Sequence, residues 1–385
     1  MSSERIVIVG AGPAGLQTAR CYRECGGEAP VTIVGREPRP PYERPPLTKE
    51  FLRGEMGAEE LPLEQEGWYA EHEVELRLGA EATAIDPRAG TVQVADETLA
   101  AATIVLATGS EPVRPKLPGV HHARVLSMRE MPDSEQIAER VQAGTHALVI
   151  GSGFIGCEIA ASLARIGAHI TLIGQEDAPQ RERLGLAAAL RIGDWLRELG
   201  VEVVTGAEVR AIEDGRAALL EDGRRFEGEW VLLGTGARPR GGLAEKAQVP
   251  VEDGAVLVDA QMRACERLFA VGDVACAENV RAGRRLRVEH WGDALAHGEI
   301  AGRTLAGATA AWEEVPGFWS TIGEHTLKHA AWGDGYDSSE LVGHPDGAFT
   351  VWYTRAGSLV GVLTSGRDRD YERGRDLIRR GAQSP

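Results

Sequence analysis

Two glycine clusters dominate the chemistry-bearing residues of this chain, Gly10-Ala11-Gly12-Pro13-Ala14-Gly15 and Gly151-Ser152-Gly153-Phe154-Ile155-Gly156. Each follows an apolar run (residues 5–9 and 147–150), and each opens an alanine-rich stretch of helical character. In such a turn the first glycine permits the strand-to-helix reversal, the second lets backbone approach a diphosphate, and the third lets helix pack on strand. The anion then sits on backbone N–H groups at the positive end of the helix. A single spacing of this kind is weak, but two copies, both between strand and helix, point to two bound dinucleotides. Glu37, about twenty residues beyond Gly15, stands where a carboxylate accepts from an adenosine ribose. Arg36 beside it leaves a solvated surface glutamate as the other reading.

These turns need parallel sheets behind them. Residues 5–9, the turn, a helix to about Gly26 and a strand over 31–34 begin a doubly wound unit. Residues 38–46 hold five prolines, which predicts a stiff extended loop and excludes helix; Arg44 lies in it and Lys49 follows. Alternation around 80–94 predicts a small antiparallel ribbon, returning to an apolar strand that ends in Thr108-Gly109. A matching exit, Gly234-Thr235-Gly236, closes the second unit, which is therefore inserted in the first. A strand over 268–271 ends in Gly272-Asp273, and residues 291–305 read as a helix. Beyond Glu314 the pattern turns alternating and aromatic, then charged and helical over 368–380. The fold class is α/β: two Rossmann-like dinucleotide-binding domains, one inserted in the other, plus a small α+β C-terminal domain. The expected boundaries are 1–112 with 239–313, then 113–238, then 314–385, the last a β-rich interface domain.

Composition narrows the function classes. Hydrophobic residues make up 43% and charged residues 26%, and no apolar run approaches the ~20 residues of a membrane helix, so a soluble protein is expected. Residues 1–5 pass straight into the first strand, so no leader and a cytoplasmic location are expected. The net charge of −16 disfavours nucleic acid and anionic lipid. Five cysteines (Cys21, Cys25, Cys157, Cys265, Cys276) lack zinc-type spacing and read as free thiols. No metal is expected: Glu324-His325 and His329 fall in a segment read as strand, where i and i+4 stand ~13 Å apart.

The two fingerprints, Arg44-Pro45-Pro46-Leu47-Thr48-Lys49, Gly272-Asp273 and Val288-Glu289-His290-Trp291 follow one another in an order that resembles the FAD-containing ferredoxin reductases feeding oxygenases, and the related apoptosis-inducing-factor-like flavoproteins. The resemblance implies FAD in the first domain and NADH, with NADPH possible, in the inserted one. It assigns Gly10, Gly12, Pro13, Ala14, Gly15 and Glu37 to the FAD diphosphate and ribose, and Arg44 and Lys49 to the loop reaching the diphosphate and isoalloxazine. Ala82, in place of the usual valine, Thr108, Gly109 and Arg129 match further FAD-lining positions, and Gly272-Asp273 the ribityl partner. Glu289, His290 and Trp291 match the helix start at the flavin pyrimidine edge. In the second domain Gly151, Gly153, Phe154, Ile155, Gly156, Glu176 and Gly236 match nucleotide positions, Phe154 being the aromatic that covers the flavin. Lys49 and Glu158 are the catalytic pair the resemblance implies, a lysine beside flavin N5 held by a carboxylate. Trp319 matches an aromatic near the flavin, with core packing as its other reading.

Absences and departures refine this. Neither site where disulfide reductases of the superfamily carry a cysteine pair has one here, so the implied electron exit is single-electron transfer to an iron–sulfur ferredoxin or to rubredoxin. NADH oxidase, rubredoxin reductase and a redox-gated binding flavoprotein are the rival readings, and the oligomeric state stays open. Gly174 replaces the NADH-type glutamate after 170–173, leaving Glu176 for a ribose, or Arg181 or Arg183 for a 2′-phosphate. Asp293 and His297 stand where many relatives carry Asn and Gln. Arg281, Arg284, Arg285 and Arg287 are expected as a basic docking loop for the acceptor.

Overall fold

The computed structural model describes residues 5–385; residues 1–4, on which the expectation about a leader rests, lie outside the described residues. Among those described, no helix is long and apolar enough to cross a membrane. The chain divides into two compact units, one of Met1–Glu43, Leu61–Glu111 and Arg238–Gly317, the other of Arg44–Glu60, Pro112–Ala237 and Phe318–Pro385.

In the first unit Ile6–Val9 pairs in parallel with Val31–Gly35 on one side and Thr103–Leu106 on the other. Val74–Leu78 and Leu268–Ala270 extend the sheet outward, and Arg263–Cys265 ends it antiparallel. All four residues of Ile6–Val9 are buried, as a strand covered on both faces requires. The strand order reverses at Ile6–Val9, and ligands of doubly wound sheets bind at the carboxyl ends of strands at such a switch point. Helix Pro13–Glu24 leaves that point and lies against helix Trp291–Leu305. Gly298 and Gly302 make that contact backbone to backbone, since an added Cβ would fall 2.5 Å from the Ala14 carbonyl oxygen and 2.6 Å from that of Thr18. The predicted ribbon is a three-stranded antiparallel sheet of Ala82–Asp86, Thr91–Val94 and Glu97–Ala100.

The arginine-rich segment corrects its expectation. Arg284–Arg287 is a strand paired antiparallel with Ala275–Asn279, not an open loop. Arg281 meets Glu313 at 3.3 Å, Arg285 meets Glu278 at 2.7 Å and Arg287 meets Glu289 at 4.0 Å. Glu278 opposite in the hairpin, Glu289 two residues on and Glu313 distant in sequence offset the charge run.

The second unit repeats the parallel motif, with His146–Ile150 between His169–Ile173 and Trp230–Leu233. Glu202–Val204 and Val125–Ser127 complete five strands. The segment after Glu314 supplies a five-stranded antiparallel sheet, Gly317–Ile322, His325–Ala331, Ser358–Ser365, Phe349–Arg355 and Ser338–Gly343 in spatial order. Helix Asp368–Arg379 covers it, with Gly374 pressed so close to Val362 that a Cβ would lie 2.6 Å from its Cγ1. The proline-rich segment corrects a second expectation. Pro45–Thr48 is a 3₁₀ turn, with Pro45 and Pro46 at its first positions, where a missing N–H costs nothing.

Candidate functional site

The three glycines of each fingerprint differ in what demands them. Gly10 has φ +126°, and a Cβ there would lie 2.1 Å from the Ala107 carbonyl oxygen; one on Gly15 would lie 2.3 Å from that of Gly10. Gly151 and Gly156 are likewise excluded from bearing a side chain, at 2.3 Å from the Gly234 oxygen and 2.0 Å from the Gly151 oxygen. The middle glycines are different. Gly12 is in ordinary extended backbone, φ −97° and ψ −176°, and nothing lies within 4 Å of an added Cβ. Gly153 is extended too, its closest neighbour at 3.6 Å. Neither helix that follows has a side-chain cap or an acid in its first turn. Open space above uncapped N–H groups is what a diphosphate needs, so both cradles fit their dinucleotides.

Within the first unit the other expected residues gather at the same carboxyl ends. Gly272, at φ +71°, brings its turn to within 3.1 Å of Ala14 Cβ, measured from an added Cβ. Asp273 Oδ2 accepts from the Ser110 hydroxyl at 2.8 Å, and Glu37 Oε2 accepts from the Tyr42 phenol at 2.5 Å. Thr108 Oγ1 donates to the Arg240 carbonyl and Gly109 accepts from the Arg240 N–H, both at 2.9 Å. Ala82 opens the ribbon and is half-buried. His290 is the N-cap of helix Trp291–Leu305 and gives it no side-chain cap, while Glu289 faces Arg287.

The second unit assembles the implied catalytic pair. Helix Phe154–Arg165 carries Glu158, 4% exposed, and the turn after Pro45–Thr48 carries Lys49, 7% exposed. Lys49 Nζ donates to Glu158 Oε2 at 2.7 Å and to the Pro45 carbonyl at 3.0 Å. Thr48 Oγ1 donates to the same Oε2 at 2.6 Å. The other oxygen, Oε1, accepts from the Ser320 hydroxyl at 2.7 Å and the Thr321 N–H at 3.3 Å. A buried ion pair is tolerable only when its remaining lone pairs are satisfied in this way. Thr48 and Ser320 are residues that the sequence reading did not single out. Arg44 donates to the Arg129 carbonyl at 2.8 Å, bringing two expected residues together.

At the second glycine turn, the Phe154 ring lies 4.6 Å from Phe318, with the Arg183 guanidinium 5.8 Å from the Phe154 ring centre. Ile155 is 45% exposed and Trp319 42% exposed, so Trp319 is not a core residue. Gly174 has no space for the acidic side chain it replaces, because a Cβ would fall 2.3 Å from Ser152 Oγ. Glu176 instead accepts from the Glu182 N–H at 2.8 Å, and Arg181 is paired with Asp177. Gly236, at φ +92°, is exposed with nothing near an added Cβ. His325 is stacked on Trp195 at 4.2 Å and His329 lies beside Phe318.

All five cysteines are free. Burial, with Glu24 nearby, pushes the Cys21 thiol up to about 11, and complete burial pushes Cys157 up as well. Neither is poised as a thiolate.

Comparison with known proteins agrees with this geometry. The pyridine nucleotide-disulphide oxidoreductase family matches residues 4–298 and the reductase C-terminal family matches residues 317–385. The chain belongs to the pyridine nucleotide-disulphide oxidoreductases, and within them it resembles the ferredoxin reductase components of oxygenase systems. It is 32% identical to the ferredoxin reductase component of chlorobenzene dioxygenase from Cupriavidus sp. (strain PS12), over 97% of this chain and 92% of that protein. It is 30% identical to a rubredoxin-NAD(+) reductase of Pseudomonas putida, over 84% and 85%. Among solved structures, the covalent putidaredoxin reductase–putidaredoxin complex has a chain matching 99% of this one over 94% of its own length, with a TM-score of 0.92 and 29% identity. Membership implies FAD and a pyridine nucleotide as the general cofactors.

Proposed function

We propose that this protein is a cytoplasmic, NAD(P)H-dependent, FAD-containing ferredoxin reductase that passes electrons to an iron–sulfur protein serving an oxygenase. When bound, FAD supplies the conversion of a hydride from the nicotinamide into single electrons for that acceptor. Residues 1–112 and 239–313 are assigned to FAD, 113–238 to the nicotinamide nucleotide and 314–385 to an interface domain. The open cradles at Gly12 and Gly153 take the diphosphates, Glu37 accepts from the FAD ribose, and Asp273, oriented by Ser110, accepts from the ribityl chain. Helix Trp291–Leu305, whose N-cap His290 gives no side-chain cap and whose first turn carries Asp293, directs its N-terminus to the flavin's pyrimidine edge. The observation that carries the reading is the buried Lys49–Glu158 pair: Glu158, with three further donors on its carboxylate, holds the lysine ammonium in one place for the hydride step.

NADH is the favoured donor. Glu176, Asp177 and Glu182 line the cleft just past strand His169–Ile173, where a 2′-phosphate would have to fit, and Arg181, in the same lining, is engaged by Asp177. An additional dianion there meets like charge.

Anaerobic titration of the FAD-loaded protein with NADH or NADPH, followed by addition of ferredoxins and rubredoxins from the same genome, tests the reading. NADH should bleach the flavin, and one ferredoxin should be reduced in turnover. Failure to hold flavin after FAD reconstitution, or reduced flavin that none of these acceptors reoxidises, refutes it. Preferential reoxidation by rubredoxin supports the rival suggested by the rubredoxin reductase relative.

A further inference from the structure

The cleft beyond strand His169–Ile173 has a second wall. It encloses about 500 Å³, with Glu176, Asp177, Arg181 and Glu182 contributed by the nucleotide-binding fold and Gly335 and Tyr336 by the C-terminal segment. Tyr336 is the one aromatic in this lining, and it is half-buried.

Its position is fixed by packing. The Tyr336 ring lies 4.8 Å from that of Tyr353, at 49°. Tyr353 is 2% exposed, and its phenol donates to the Leu184 carbonyl at 2.8 Å. At the next residue, Gly185, the helix Arg181–Glu198 breaks, with φ 79° and ψ 165°. A Cβ on Gly185 would stand 2.8 Å from the Tyr336 phenol oxygen. A side chain there would thus be both strained and obstructed, and the helical break gives the tyrosine its room. The Tyr353–Leu184 hydrogen bond therefore ties the C-terminal sheet to the helix that borders the cleft, and the ring contact holds Tyr336 against Tyr353.

Resting on the reading of this unit as the site of the nicotinamide nucleotide, we infer that Tyr336 is the adenine-facing wall of the cleft, so that the C-terminal sheet takes part in recognising the adenosine half of the donor. In a doubly wound sheet the ribose lies just past the second strand, which is where Glu176 and Asp177 begin the cleft. Their carboxylates suit ribose hydroxyls. A flat aromatic face opposite them suits a purine, and a held tyrosine loses little entropy on contact. Tyr336 touches the donor far from the transferred hydride, so it binds ground state and transition state alike and acts on KM.

The test compares NADH with reduced nicotinamide mononucleotide, which has the same reactive ring and no adenosine, in flavin-loaded wild type, Tyr336→Ala and Tyr336→Phe. Tyr336→Ala should raise KM for NADH about tenfold with kcat within twofold, weaken competitive inhibition by ADP-ribose by the same factor, and leave kcat/KM for the mononucleotide unmoved. Tyr336→Phe, which keeps the ring, should restore the NADH value. An unmoved NADH KM, or an equal loss with the mononucleotide, overturns the inference while leaving the nucleotide reading intact. Wild-type flavin that NADH does not reduce overturns both.

Discussion

His297 offers a stability measurement whose size follows from its surroundings. The side chain is fully buried on helix Trp291–Leu305, edge-on to Trp312 at 4.5 Å and 84°, and neither ring nitrogen has a well-formed hydrogen bond among the described residues. Burial lowers its pKa from 6.5 to about 4, against the opposing pull of the Asp273 charge and the Gly272 backbone. The native imidazole is therefore neutral, while in the unfolded chain it takes a proton once the pH falls below 6.5. The unfolded state binds more protons between these values, so stability is present above pH 6.5 and lost as pH falls towards 4. At about 1.4 kcal/mol per pH unit the whole effect is about 3 kcal/mol, of which about 2 kcal/mol falls between pH 7 and pH 5. Urea unfolding of wild type and His297→Gln at both pH values, with FAD at a fixed excess, isolates this contribution from that of the carboxylates. The wild type should lose about 2 kcal/mol more than the variant over that interval. Equal losses would show that His297 is not buried in its neutral form.

The fingerprint glycines separate folding from ligand binding. Gly12→Ala should leave unfolding within about 0.5 kcal/mol of wild type, because its Cβ meets nothing within 4 Å, yet lower FAD affinity at least tenfold by flavin-fluorescence titration. Gly10→Ala, with φ +126° and a carbonyl oxygen 2.1 Å away, should instead cost about 3 kcal/mol or more by thermal unfolding; undiminished FAD affinity in Gly12→Ala would count against the open cradle. Lys49→Met strands a buried carboxylate and should cost about 3–5 kcal/mol in urea, with Glu158→Gln in the same chain recovering more than half. Additive losses in that double variant would show that the two charges are not coupled.

What the sequence made legible was local. Each fingerprint announces strand, turn and helix within a few residues, and Glu37 keeps a fixed offset from Gly15, so that both nucleotide units could be read before any tertiary contact was known. The resemblance singled out Lys49 and Glu158, but their supporting groups depend on contacts across the chain. Ser320 reaches Glu158 from 162 residues away, and a lone serine in Phe318-Trp319-Ser320 carries no signal of that role. The missing acid at Gly174 was visible in the sequence, whereas its cause, the space taken by Ser152 Oγ, is a property of the folded turn. The arginines of 281–287 looked like an open basic loop because charge runs are read without their partners. Hairpin pairing sets Glu278 beside Arg285, and the fold brings Glu313 to Arg281.

The seat of Gly298 and Gly302 against the Ala14 and Thr18 carbonyls has an electrical consequence. In the proposed assignment, helices Pro13–Glu24 and Trp291–Leu305 present their positive ends to two parts of one cofactor. Because Gly298 and Gly302 carry no side chains, the second helix sits against the backbone of the first, which restrains the two ends from sliding independently. Their field is set at folding, and charge arriving beside it meets dipoles that need not turn. With the cofactor held as proposed, the reorganisation accompanying an electron exchange would be correspondingly small. A scaffold of this kind leaves substitution of nearby side chains, such as Asp293 and His297, as the means of retuning the redox potential without moving the frame.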